Sequence, residues 1–139
     1  MRAFIAIALP EEAKKNFLKL QDILKASAAD VTWVEPKNIH LTLKFLGDIS
    51  DTVSRKIILA LPKMTSTQKV FQLRTKALGV FPKPTFARVV WIGVEEARHC
   101  LDTLASHIED ATVKLGVPAA TKPFSGHITL GRVRSQKNI

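Results

Sequence analysis

Apolar and polar positions along this chain follow two rhythms, one of period two and one of period near four, and the blocks interleave. Residues 2–9 read as a buried strand rather than a secretory leader, because Pro10-Glu11-Glu12 follows at once with no small-residue cleavage site. After Pro10, the residues Ala13, Phe17, Leu20 and Leu24 recur at helical spacing behind two first-turn acids, which predicts a helix to residue 26. Thr32-Trp33-Val34 predicts a short strand stopped by Pro36, and residues 38–46 predict a longer one ended by Gly47-Asp48. Ser50 or Asp51 caps a second predicted helix that runs to residue 61, before Pro62. Residues 70–78 and 88–94 read as strands around a turn region at 79–84. Residues 95–115 read as a helix closed by Gly116, and residues 124–133 as the last strand. Helices interleaved with several strand-to-strand connections make an α+β fold, and 139 residues without a linker or low-complexity segment make one domain.

Two of the predicted strands carry the same short pattern, His40-Leu41-Thr42-Leu43 and His127-Ile128-Thr129-Leu130. Side chains alternate across a strand, so His40 shares a face with Thr42, and His127 with Thr129. Leu41, Leu43, Ile128 and Leu130 then point the other way, into a core. A rise of ~3.3 Å per residue sets the His and Thr of one motif roughly 6.6 Å apart, a spacing that flanks a small anion. Imidazoles exchange protons near neutrality, so two of them around one phosphorus suit phosphoester cleavage. One activates water and the other protonates the departing oxygen. Threonine hydroxyls supply hydrogen bonds to the non-bridging oxygens, and this chemistry requires no metal. One His-x-Thr in a strand is commonplace; two copies with matching flanks hint at two related halves facing each other.

Charge adds a partner class. The formal net charge is +9 and the pI about 10.0. Between Thr52 and Val94 the chain has no acid but eight bases, and after Asp110 only bases follow. Such asymmetry fits a phosphate-rich partner, most simply nucleic acid, although solvated lysines account for composition alone. No apolar run is long enough to span a membrane. The single cysteine, Cys100, excludes an internal disulfide and fits a cytoplasmic setting.

The flanks of the two motifs carry a family resemblance. The stretch from Asn38 to Gly47 and the stretch Gly126-His127-Ile128-Thr129-Leu130-Gly131-Arg132 resemble the two signatures of the RNA 2′,3′-cyclic phosphodiesterases. These belong to the two-histidine (2H) phosphoesterase superfamily and were formerly called 2′-5′ RNA ligases. The opening Arg2-Ala3-Phe4-Ile5-Ala6-Ile7 and residues 88–94 are similar to that family too. The resemblance implies a bilobal, pseudo-symmetric α+β fold with a central groove and one motif strand from each lobe. It implies metal-free, cofactor-free hydrolysis of RNA 2′,3′-cyclic phosphate ends to 2′-phosphates. By position, His40 is the proton donor, His127 the proton acceptor, and Thr42 and Thr129 bind phosphate; the residues alone leave acid and base interchangeable. Two features depart from the family pattern. Gly126 stands where the family usually has proline, a more permissive residue beside His127. The chain also ends at Ile139, soon after the second motif, where family members continue; this implies a truncated form or a partner chain over the open sheet edge.

Other residues extend or compete with this reading. Arg132 is an attractive phosphate ligand, but strict alternation puts it opposite His127 and Thr129 unless a bulge at Gly131 or the strand's end redirects it. Lys44 shares parity with His40 and Thr42 and is a second candidate phosphate ligand, or a solvated strand-end lysine. Phe45 and Trp91 read as core, whereas Phe81 and Phe86 flank the Lys83-Pro84 loop as a candidate substrate rim. His99, Cys100 and His107 lack metal-ligand spacing and read as surface. Two further functions stay open: a basic RNA-end-binding module without turnover, and a 2H enzyme acting on another cyclic phosphate or on a 2′-5′ linkage, ligation included.

Overall fold

The computed structural model describes residues 1–96 and 98–139. Its elements run β1 (Arg2–Ala8), α1 (Glu11–Lys25), β2 (Val31–Trp33), a short 3-10 turn (Pro36–Asn38), β3 (His40–Asp48), α2 (Asp51–Thr65), β4 (Arg74–Lys83), β5 (Phe86–Glu95), α3 (Cys100–Lys114) and β6 (His127–Val133). The α+β class expected from the sequence is the one observed. The chain divides into two compact units. One holds Met1–Ala6, Thr42–Arg74 and Glu95–Gly126; the other holds Ile7–Leu41, Thr75–Val94 and His127–Ile139.

In the first unit, α2 and α3 pack on one another. Leu46, Ile57 and Val117 form one buried cluster within it, ringed by Ala3, Ile5, Ile49, Val53, Leu61 and Leu115. The predicted cap is present: the Ser50 hydroxyl accepts the Val53 amide at 3.2 Å. However, α2 does not stop before Pro62. It continues for another turn because Met64, beyond the proline, is buried. The Thr65 hydroxyl, donating to the Leu61 carbonyl at 3.1 Å, then helps close it. The third helix starts later than expected, since β5 runs on to Glu95. The Glu96 carboxylate accepts the amides of Arg98 and Cys100 and so satisfies donors at the helix start. Ala97, inside the predicted helix, lies outside the described residues.

In the second unit, β6 is the hub. It pairs antiparallel with β3 through Leu41↔Ile128, with β5 along its length, and with β2 through Val31↔Val133, Thr32↔Arg132 and Trp33↔Gly131. The expected turn region at 79–84 is mostly strand. Only Pro84 and Thr85 make the turn of the β4–β5 hairpin. Pro82 is tolerated because β4 is the last strand in the pairing order, where a missing N–H breaks no ladder. From α1, Gln21 is buried and its Nε2 donates to the carbonyls of Val34 and Leu130, both at 2.9 Å.

Two burial expectations fail for one reason each. The strand β1 is half-buried rather than buried, because it ends the pairing order. On β3, Leu41 and Leu43 are buried as alternation requires, but Lys44 and Leu46 are buried too, and Phe45 is 68% exposed. The buried parity of the strand changes between Leu43 and Lys44, where consecutive residues are both buried. Phe45 therefore leaves the core and lies beside Phe4, with ring centroids 6.3 Å apart.

Candidate active site

The two motif histidines lie in one unit. The division between the two compact units passes through β3 after Leu41, so His40 and His127 both fall in the second. The physical reason is direct pairing of β3 with β6. Leu41 and Ile128 are register partners, 0% and 2% exposed, and fill the core side. His40, His127 and Thr129 consequently share the opposite, half-buried face. Antiparallel register sets His40 across from Thr129, so the two histidines are diagonal neighbours with Cα atoms about 7–8 Å apart. Imidazoles at that spacing can reach one bound anion from two sides. Thr42 follows His40 by two residues along β3 and is half-buried on the same strand face.

Each imidazole has contacts that fix it. His40 Nδ1 lies 2.6 Å from the Asn38 carbonyl. A carbonyl only accepts, so Nδ1 carries a proton and Nε2 is the nitrogen that gains and loses one. His127 stands against aromatic rings: Phe81 at 5.2 Å and edge-on at 85°, and Trp91 at 6.2 Å and 64°. Neither Phe81 nor Trp91 was placed beside a histidine by the sequence, because β6 is distant along the chain from the β4–β5 hairpin and its register is not local.

A bulge decides the fate of Arg132. Trp91 pairs with Thr129, but Val90 pairs with Gly131, so β6 carries Leu130 as an extra residue. Leu130 and Gly131 are both buried as a result. Beyond them Arg132 pairs with Val89, which shares the face of Trp91, and hence of Thr129 and His127. The bulge is secured through the Leu130 carbonyl, which accepts from the Val34 amide and Gln21 Nε2, both at 2.9 Å. Arg132 is thus an exposed cation on the histidine face. Gln21 is the residue the sequence missed here: it sits within the apolar stripe of α1, and its burial is the only signal it offers.

Lys44 does not join this group. Its side chain is 5% exposed and its ammonium is bonded to Glu109 at 2.6 Å and to the Pro118 carbonyl at 3.2 Å. The Lys44 ammonium, with an amide bond from Ala120, holds the Glu109 carboxyl below its ordinary value despite partial burial. Phe86, the other expected rim residue, is exposed and carries the Arg88 guanidinium 5.1 Å over its ring. Among the described residues no three His, Cys, Asp or Glu side chains group as a metal site, and no helix is long and apolar enough to cross a membrane.

Comparison with known proteins gives a consistent picture. Residues 7–91 match the family described as LigT like phosphoesterase. The chain is 36% identical over 138 residues to the RNA 2′,3′-cyclic phosphodiesterase of Methanothermobacter thermautotrophicus, covering 99% of this chain and 74% of that one. It is 35% identical to the enzyme of the same name from Archaeoglobus fulgidus, covering 96% of this chain and 73% of that one. Among solved structures, E. coli LigT in its apo form superposes with a TM-score of 0.77 at 27% identity, covering 96% of this chain and 73% of that one. LigT complexed with 3′-AMP gives 0.75 at 27% identity, covering 94% and 72%.

Proposed function

The chain belongs to the LigT-like phosphoesterase family, and on that premise we propose that it hydrolyses RNA 2′,3′-cyclic phosphate ends to 2′-phosphates, with His40 and His127 as its proton-transfer pair. The observation that carries this reading is the Leu41↔Ile128 register, which sets both histidines and Thr129 on one strand face. His127 takes a proton from water as its oxygen attacks phosphorus. The P–O3′ bond breaks, and His40 Nε2–H protonates the departing 3′ oxygen, leaving a 2′-phosphate and a 3′-hydroxyl. The Thr42 and Thr129 hydroxyls donate to the non-bridging oxygens, where charge grows in the transition state. Arg132 adds a guanidinium on the same face, suited to an anion. The donor and acceptor roles follow those the family resemblance implies. A protonated His40 Nδ1, fixed on the Asn38 carbonyl, supports Nε2 as the donating atom. The net charge of +9 favours an RNA strand leading to the site, and one unpaired cysteine fits a reducing, cytoplasmic setting.

A nucleoside 2′,3′-cyclic phosphate incubated with the protein in excess EDTA is expected to yield only the 2′-monophosphate, read by phosphorus NMR. No turnover, turnover abolished by EDTA, or a 3′-phosphate product would each overturn the proposal.

A further inference from the structure

The geometry points to Phe81 and Trp91 as positioning residues that hold the imidazole of His127, with Gly79 and Gly93 providing the room that the indole requires. The inference rests on the proposed role of His127 and extends it to the aromatic residues packed against its ring.

The arrangement is built from three strands of one unit. His127 pairs with Gly93 across the β5–β6 ladder, and Thr129 pairs with Trp91, so indole and imidazole rise from the same face. The six-membered part of the indole lies over the backbone of both glycines. A Cβ at Gly79 would collide with three indole carbons, and one at Gly93 would stand 3.3 Å from a fourth. Phe81 from β4 stacks on the indole, with centroids 4.8 Å apart and planes 28° from parallel. The same Phe81 ring meets His127 edge-on at 5.2 Å and 85°. Two rings from two strands thus bound one imidazole, both in the edge-to-face relation that aromatic pairs favour. The indole N–H is buried with no partner among the described residues. Hydrogen bonding to them therefore does not set the ring's position; stacking and the glycine floor do.

Such positioning acts on the chemical step. A displacement of about 1 Å at a reacting group costs on the order of 10²-fold in rate. Simple core packing by Phe81 would instead alter stability and leave kcat per folded molecule unchanged.

The test uses the full chain with Phe81→Leu, which keeps an apolar side chain but removes the ring. In the free protein, the His127 ring-proton resonances, assigned by their absence from His127→Ala, are expected to move as the ring current of Phe81 is lost. With a nucleoside 2′,3′-cyclic phosphate, kcat is expected to fall about 10–100-fold at unchanged KM. Phe81→Tyr, which restores the ring, is expected to recover most of the lost kcat. Unmoved resonances, an unchanged kcat, a rise in KM alone, or no rescue by tyrosine would each overturn the inference. Should the wild-type protein turn over no cyclic phosphate, the proposed function fails, and the resonance shift alone still decides whether Phe81 holds His127.

Discussion

Replacing either histidine by alanine is expected to lower kcat for cyclic phosphate hydrolysis by about 10²–10⁴-fold, the usual worth of one positioned proton transfer. His127→Ala removes the proposed base that deprotonates water, and His40→Ala the proposed acid that protonates the 3′ oxygen. Both side chains are only half-buried, so unfolding temperatures are expected to stay close to wild type. The double variant should lose little more than the worse single one, because acid and base act in a single step and their effects are not additive. Residual activity then measures the contribution of Thr42, Thr129 and Arg132, the proposed anion ligands. If either single variant kept wild-type kcat, the paired-histidine chemistry would be wrong.

Glu109→Ala is expected to destabilise the protein by about 3 kcal/mol, read as a shift in the urea midpoint at neutral pH. The Lys44 side chain is 5% exposed and Glu109 is its carboxylate partner at 2.6 Å. Removing Glu109 leaves an ammonium buried with, among the described residues, only the Pro118 carbonyl. Replacing both partners, as Lys44→Met with Glu109→Leu, should recover most of that loss, since apolar pairs of similar volume replace buried ion pairs well. A loss below about 0.5 kcal/mol in the single variant would place Lys44 in solvent and contradict the structure. The pair also carries a pH signature. Glu109 is held below its ordinary value near 4.5, so the folded state favours its ionised form. Its contribution is present above that value and disappears as pH falls through the lowered folded value. Stability at acid pH should therefore fall more steeply in wild type than in the double variant.

Much of this architecture was legible in the chain, for physical reasons that differ by element. Ser50 announced the start of α2, because a hydroxyl before an apolar period is a local device. The two His-x-Thr-x strands were legible because alternation needs no tertiary information. What alternation cannot show is a break in its own parity. Phe45 and Lys44 exchanged their expected places because the buried side of β3 changes along its length. Pro62 and the segment 79–84 misled for a related reason: buried Met64 and the open edge of β4 override what proline signals locally. Arg132 depended on a bulge that the sequence left open. Its cause, the Leu130 carbonyl bonded to Gln21 and Val34, joins residues far apart along the chain. The setting of His127 was hidden in the same way, since it comes from the register of β5 on β6 and from the packing of β4.

The central claim is that two histidines on one strand face act as acid and base in a single reaction. The dependence of kcat/KM on pH, measured with a nucleoside 2′,3′-cyclic phosphate in excess EDTA, tests it most directly. One group must be deprotonated and the other protonated, so the account predicts a bell-shaped profile, with the alkaline limb lost in His40→Ala and the acid limb lost in His127→Ala. A wild-type profile that is flat, or that has only one limb, would contradict it.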